Sequence, residues 1–396
     1  MSRSLGQLNE LLTARSLRDK IPAFGSFELT SRCNLSCKMC FVCSKQNSEE
    51  IKSRELTAKQ WIQLGREARD AGMLYLLLSG GEIFIRSDFQ EIYEGLSDLG
   101  LLITLNTNAT LLTPDVMKWL VKRPPLRVAV SIYGSSPEAY ARVCGNANGY
   151  EQAMRGIRLL EENNIQNKLR TVMIRDTRED LCNIVGLILG FGKQVGMVSY
   201  VAPCRDETGN DPLNVRYSPE EQQEADKELE TYIKEYNEKK YSEYLEAQKN
   251  LNPNDVDSSS EEPAPEESVV EDDDLDELES ISKSEDKEQY TFRCMAGRAS
   301  FWVTWDGRMT PCALAPEPAS YPSRDGFEHA WGDLVKESLL VPKCTDCIEC
   351  ADRDYCMTCP ARLKVETGFF DKKSEYLCEK ARLFKIRTAE KEKVKR

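Results

Sequence analysis

The chain has 396 residues, 40% of them hydrophobic, so it can bury a sizeable core, and at roughly 100–200 residues per domain it predicts two or three units. Asp and Glu total 66 against 53 Lys and Arg, and the net charge of −13 argues against a nucleic-acid or anionic-membrane partner, since both demand positive potential. No 18 apolar residues run together and no signal-peptide segment opens the chain, which predicts a cytoplasmic protein whose fifteen cysteines are mostly metal ligands and not a disulfide framework.

In chain order, residues 1–23 read as a short amphipathic segment, with Leu5, Leu8 and Leu12 interleaved with charges. Residues 24–205 then repeat a strand-then-helix unit about six times, with strands expected at 27–30, 74–79, 101–106, 127–132, 168–174 and 197–201. Capping boxes are legible at Thr57–Gln60 and Asp88–Glu91, helix-ending glycines at Gly72 and Gly100, and first-turn prolines at Pro114 and Pro137. The pattern predicts an α/β fold, a partial (β/α)6 barrel of the TIM type, open on one side, with its chemistry in the loops after the strands. A charged helical bridge is expected over 206–250 and an acidic, disordered insertion over 251–289. A small cysteine-rich domain follows at 290–384, short enough to need its metals to fold, and then a basic tail at 385–396.

The strongest signal is Cys33-Asn-Leu-Ser-Cys37-Lys-Met-Cys40, directly after the first strand. Three thiolates leave the fourth iron of a [4Fe–4S] cube without a protein ligand, and an open iron can be chelated by a small molecule. The alternative is a zinc loop with Cys43 as fourth ligand. After the second strand stands Ser79-Gly80-Gly81-Glu82, where two glycines let the backbone approach a ligand.

The spacing of Cys33, Cys37 and Cys40 resembles the radical S-adenosylmethionine (SAM) superfamily, and the turn at Ser79, Gly80, Gly81 and Glu82 lies where that family receives the cofactor's ammonium group. The resemblance implies that Met39 lies near the adenine, and that Asn106, Asn108 and Ser131, at the next two strand ends, meet ribose hydroxyls or the methionine carboxylate. Arg142 is placed to pair with that carboxylate.

A second cysteine set runs from Cys294 through Gly307 and Cys312 to Cys347-x2-Cys350-x5-Cys356-x2-Cys359 and Cys378. It resembles the SPASM extension of the same superfamily, apart from one x2 spacing where x3 is common, and so implies two auxiliary [4Fe–4S] clusters. By resemblance Cys347, Cys350, Cys356 and Cys378 hold the outer one and Cys294, Cys312 and Cys359 the inner one. Cys344 is its fourth ligand, or the site stays open to a substrate group. The competing reading of the set is a zinc ribbon, and for the whole chain a zinc-stabilised binding scaffold. Cys144, Cys182 and Cys204 fit no cluster pattern and read as structural thiols, although Cys204 follows the last strand. His329 is the single histidine, which disfavours a Ser/His or Cys/His nucleophile.

The resemblance implies an oxidoreductase that cleaves SAM with an electron from a low-potential donor, flavodoxin or ferredoxin, and acts on a ribosomally made precursor peptide. Ala313-Leu314 follows Cys312, so no carboxylate stands beside it as in the sulfatase-maturing relatives, which favours a thioether or carbon–carbon crosslink over side-chain oxidation. Epimerisation would need Cys204 or Cys43 to return hydrogen. Some 24 residues precede the first strand, too few for a separate precursor-recognition domain.

Overall fold

A computed structural model describes residues 5–42, 49–205, 211–249 and 291–395. The insertion expected over 251–289 lies outside the described residues, as does Cys43.

Six parallel strands form in the expected order: β1 (Phe24–Glu28), β2 (Tyr75–Ser79), β3 (Leu102–Thr107), β4 (Arg127–Ile132), β5 (Asn167–Val172) and β6 (Val195–Val198). Helix α1 (Leu5–Asp19) precedes them. Short helix α2 (Glu49–Arg54) and α3 (Ala58–Asp70) lie between β1 and β2, and α4 (Phe89–Ser97), α5 (Pro114–Leu120), α6 (Pro137–Cys144), α7 (Gly149–Glu162) and α8 (Leu181–Gly190) join the later strands. The Thr57–Gln60 capping box closes both ways. At Asp88 it does not form, because the carboxylate is taken by Arg86 at 2.7 and 2.9 Å.

Alternate strand residues face the helices, where Phe27 stacks 5.0 Å from Trp61, and the residues between them face the open lumen. The lumen side of the sheet carries Glu28, Ser79, Asn106, Ser131, Lys168 and Arg170, which is why these strands are not the continuous apolar runs of a sheet buried equally on both faces.

The sheet does not stop at six strands. Its order is β6-β5-β4-β3-β2-β1-β7-β8, with β7 (Ser300–Val303) parallel to β1 and β8 (Met309–Thr310) antiparallel to β7. The segment expected to form a separate small domain therefore begins as an extension of the barrel. Phe301 on β7 contacts Phe27 at 6.4 Å, Phe327 at 5.2 Å and Trp331 at 6.0 Å, so it continues the apolar face of β1. A turn of helix, α10 (Pro322–Asp325), leads into α11 (Phe327–Leu340), which covers β7 as α3 covers β1.

Beyond this lie α12 (Thr345–Ile348), α13 (Pro360–Thr367) and α14 (Glu375–Lys395), with little apolar packing beneath them. The bridge is one long helix, α9 (Pro219–Lys249), and Arg387 on α14 pairs with its Asp226 at 2.8 Å. At the barrel end Arg216 meets Glu366 of α13 at 2.5 Å and stacks 3.7 Å over Tyr376, while the Tyr200 hydroxyl donates to the same carboxylate at 2.8 Å. Among the described residues no helix is long and apolar enough to cross a membrane.

Candidate active site

Because the strands are parallel, their C-terminal ends share one rim, and the loops there are zipped to one another. Gly81 N–H donates to the Thr30 carbonyl at 2.8 Å and Glu82 N–H to the Arg32 carbonyl at 2.9 Å. A Cβ on Gly80 would stand 2.4 Å from the Thr30 oxygen, and one on Gly81 2.2 Å from the Arg32 oxygen. Here the two glycines serve the close approach of the cysteine loop, and Gly80, at φ +148°, also has a backbone that side chains disfavour.

Glu82 is fully buried and reaches sideways. It accepts from Phe84 N–H at 3.1 Å, the Thr107 hydroxyl at 2.8 Å and Asn108 N–H at 2.8 Å, tying the end of β2 to the end of β3. Burial pushes its carboxyl up to about 7, against the pull of those three donors.

The thiols stand on this frame. The Cys33 sulfur accepts from Leu35 N–H at 3.4 Å and faces the Asn108 amide nitrogen at 3.8 Å; that amide also donates to Asn34 at 3.0 Å. On the other side, Ser36 and Lys38 N–H donate to the carbonyls of Cys144 and Val143, both at 3.0 Å, so the C-terminal end of α6 supports the loop. Met39 is buried in the main core. Burial first, then the charge of Glu82 and of the neighbouring Cys37 and Cys40, push the Cys33 thiol far above its ordinary range. Cys37 is raised chiefly by its contact with Cys144 and then by burial, and Tyr133 lies against both.

These thiols fit a cluster ligand set. N–H groups point at sulfur, as a metal-bound thiolate requires, and thiols crowded and buried in this way ionise only when a cation offsets their charge. Among the described residues no three or more His, Cys, Asp or Glu side chains are arranged to hold a single metal ion.

Asn106 and Ser131 face the lumen from β3 and β4. The Asn106 amide donates to Ser79 at 3.4 Å and accepts from Arg170 at 3.2 Å, and Ser131 bonds Tyr133. Arg142 is brought elsewhere: it is exposed on α6 and donates to the Asp176 carbonyl at 3.0 Å. Arg170, which reaches over β4 to Asn106, was missed in the sequence, since only strand pairing puts it near the rim. Also missed was a buried bridge across the lumen. Glu28 accepts two bonds from Arg205 at 2.8 Å each and one from the Trp302 indole at 2.9 Å.

The C-terminal cysteines fall into two groups. Cys294, Cys312 and Cys359 sit together against Phe292, Ala296 and Ala315; burial and their mutual proximity push the Cys294 thiol up to about 11 and that of Cys312 up to about 12. Cys347, Cys350, Cys356 and Cys378 influence one another in a second group, and Cys344 belongs there. It contacts Cys347 and packs with Leu363 and Leu377, because the turn into α12 carries both thiols on consecutive loops of chain. Cys344, expected as one option for fourth ligand of the inner group, is instead placed beside Cys347 in the second group. Cys204 as a free thiol is corrected: it is disulfide-bonded, and its sulfur has no hydrogen to give in that state.

Residues 27–188 match the Radical SAM superfamily model and form a radical SAM domain, the kind of domain whose cofactors are SAM and a [4Fe–4S] cluster. It is 26% identical to the AdoMet-dependent heme synthase of Methanosarcina barkeri over 90% of this chain and 96% of that protein. It is 36% identical to the PqqA peptide cyclase of Rhizobium meliloti, but over 36% of this chain, and the match spans 37% of that relative's length. In fold it resembles Streptococcus suis SuiB bound to S-adenosylmethionine, with TM-score 0.62, 16% identity and coverage of 94% of this chain and 81% of that one. It also resembles anSMEcpe with bound AdoMet and Kp18Cys peptide, with TM-score 0.62, 15% identity and coverage of 91% and 95%.

Proposed function

We propose that the chain is a radical SAM peptide maturase of the SPASM type that installs a thioether or carbon–carbon crosslink in a ribosomally made precursor. The observation that carries this reading is the joining of two thiol-rich regions through one sheet: β1, which leads into Cys33, Cys37 and Cys40, pairs with β7, which lies between Cys294 and Cys312. A crosslink removes two hydrogens from the substrate, so it needs an electron acceptor as well as a radical source, and the second region supplies candidate sites for two auxiliary [4Fe–4S] clusters. The similarity to PqqA peptide cyclase, and the shared fold with SuiB bound to precursor peptide SuiA and with peptide-bound anSMEcpe, support a peptide substrate.

When bound, the first cluster and SAM supply a 5′-deoxyadenosyl radical. The chain's part is to hold Cys33, Cys37 and Cys40 at the rim, to line the lumen with Ser79, Asn106, Ser131 and Arg170 for the cofactor's polar groups, and to keep water from the reacting face. Asn108 is assigned to support Cys33, and Met39 to back the loop. Cys347, Cys350, Cys356 and Cys378 are assigned to the outer auxiliary site, with Cys294, Cys312 and Cys359 at the inner one. Flavodoxin or ferredoxin would deliver the electron. Residues 24–205 form the radical unit and 290–384 the auxiliary unit, sharing the sheet.

A second reading is favoured by one finding, the match to AdoMet-dependent heme synthase over nearly the whole length of both chains. Haem and its precursors carry carboxylates, and Lys168 and Arg170 give β5 a cationic lumen face.

Mass spectrometry of a candidate precursor peptide and of a haem precursor, each incubated anaerobically with reduced enzyme and SAM, separates the readings. A peptide two hydrogens lighter and unreactive toward carbonyl reagents is expected. A carbonyl-reactive peptide would move the assignment to side-chain oxidation, one gaining deuterium from solvent at unchanged hydrogen count to epimerisation, and turnover of the haem precursor alone to the second reading.

A further inference from the structure

Between β1 and α3 the chain makes a long excursion that carries all three thiols of the first loop and returns through α2 to Glu55. Its two roots, residues 29–32 and 55–56, are joined by charged side chains that the chemistry of the rim does not otherwise use. The Glu55 carboxylate accepts Arg32 Nε at 2.7 Å and Nη2 at 2.9 Å, together with the Thr30 hydroxyl. Arg86, from the turn after β2, donates to the Leu29 carbonyl at 2.7 Å on the outgoing root and to the Leu56 carbonyl at 2.9 Å on the returning one. It stands 3.4 Å from Glu55 and is itself fixed by Asp88.

Side-chain exposure is 3% for Arg86, 5% for Glu55 and 10% for Arg32, so these charges are almost wholly out of water. A desolvated pair of this kind is weak evidence for stability, because its Coulombic gain is offset by desolvation, but it specifies geometry strongly: each charge has few satisfactory positions. What this network specifies is the loop. Glu55 and Arg86 tie the two roots to each other and to Asp88, and Arg32 is covalently next to Cys33.

We propose that Glu55 and Arg86 are positioning residues for the radical cluster. Together they form a clasp that fixes Cys33 relative to the end of β1, the turn after β2 and the start of α3, and so would set where a cluster held by Cys33, Cys37 and Cys40 stands at the rim. The inference rests on the radical SAM assignment and not on the nature of the substrate.

The test uses the full chain, reconstituted anaerobically, with no peptide present. Glu55→Gln keeps the shape but turns one oxygen into an amide donor facing Arg32 and Arg86. Arg86→Lys keeps the charge but cannot span both carbonyls. For each variant we would measure iron content, thermal midpoint, and the change in the reduced cluster's electron paramagnetic resonance spectrum as SAM is titrated. Small displacements of reacting groups cost up to about a hundredfold, so the SAM-induced spectral change is expected to need about tenfold more SAM or to vanish. Glu55→Asp should recover part of it.

Selective loss of the first cluster's share of the iron would also support the clasp. Wild-type SAM titrations in both Glu55→Gln and Arg86→Lys would overturn it. So would loss of all iron with collapse of the thermal midpoint in both, since the network would then hold the sheet rather than the loop.

Discussion

The two cysteine regions are held by different means. The first loop is zipped to the β2 turn, backed by α6 and seated on the main core, in which Phe27, Leu29, Trp61 and Leu78 are fully buried. In the second region Cys350 and Cys378 are exposed, and the apolar groups beneath are small. One comprises Phe292, Ala296, Ala315, Val341, Ala361 and Phe370, the other Cys344, Leu363 and Leu377. The first region is a site placed on a finished scaffold, whereas the second lacks the buried apolar area that would order it alone.

The largest effect that would sharpen this contrast is on SAM cleavage. Replacing Cys33, Cys37 and Cys40 together with Ala should abolish formation of 5′-deoxyadenosine while moving the thermal midpoint little, because those thiols add little to the core. Iron counting on the same samples should fall by about four atoms, the content of one [4Fe–4S] cluster. A large loss of thermal stability would show that the first region, too, depends on its metal.

Stripping iron anaerobically with a chelator should act in the opposite place. Limited proteolysis is expected to show new cuts between Val341 and Cys378 that the untreated protein lacks, leaving the six-strand barrel protected, because metal bound there would contribute folding free energy. Equal protection of both regions after chelation would break the comparison.

A smaller effect concerns pH. The Glu82 carboxyl, raised by burial to about 7, lies above its unfolded range of about 4.3. Its contribution to stability is therefore complete below the unfolded value and is lost as pH rises through the folded one. The difference in unfolding free energy between wild type and Glu82→Gln should shift against wild type by about 2–3 kcal/mol from about pH 5 to about pH 8. Denaturant melts at both values measure it, and no shift would mean that the three donors hold the carboxylate ionised throughout.

Much of this was legible in the sequence, for identifiable reasons. The six barrel strands, the Thr57 cap and the prolines at 114 and 137 are local signals, and local structure followed them. What stayed hidden depends on distant partners. β7 is four residues long, and nothing in Ser-Phe-Trp-Val tells that it pairs in parallel with β1. Glu28 reads as the polar end of a strand until Arg205 and Trp302 arrive from 177 and 274 residues away. β1 itself begins earlier than expected, at Phe24, because the Ala299 carbonyl accepts from Phe24 N–H and Leu74 N–H donates to the carbonyl of the preceding Ala23. Spacing offered Cys344 as fourth ligand of the inner cluster or left that site open, and it did not reveal that Cys344 packs beside Cys347, Leu363 and Leu377.

The smallest expected effect tests the residue whose place differs most from the resemblance. Arg142 was expected to pair with the SAM carboxylate, but it lies exposed on α6 and bonds the Asp176 carbonyl, beside an ion pair between Lys38 and the Asp176 side chain. Its loss removes one exposed hydrogen bond, about 0.5–1 kcal/mol, from the support of the cysteine loop. Arg142→Ala should accordingly weaken SAM binding by less than about fivefold, which is what that energy amounts to at the rim. Arg170 faces the lumen and already holds Asn106, so Arg170→Ala should weaken binding more. Equilibrium dialysis of labelled SAM ranks the two. If Arg142→Ala proved the more damaging, α6 would have to turn toward the lumen when the cofactor binds, and the first region would not be the finished scaffold it is taken to be.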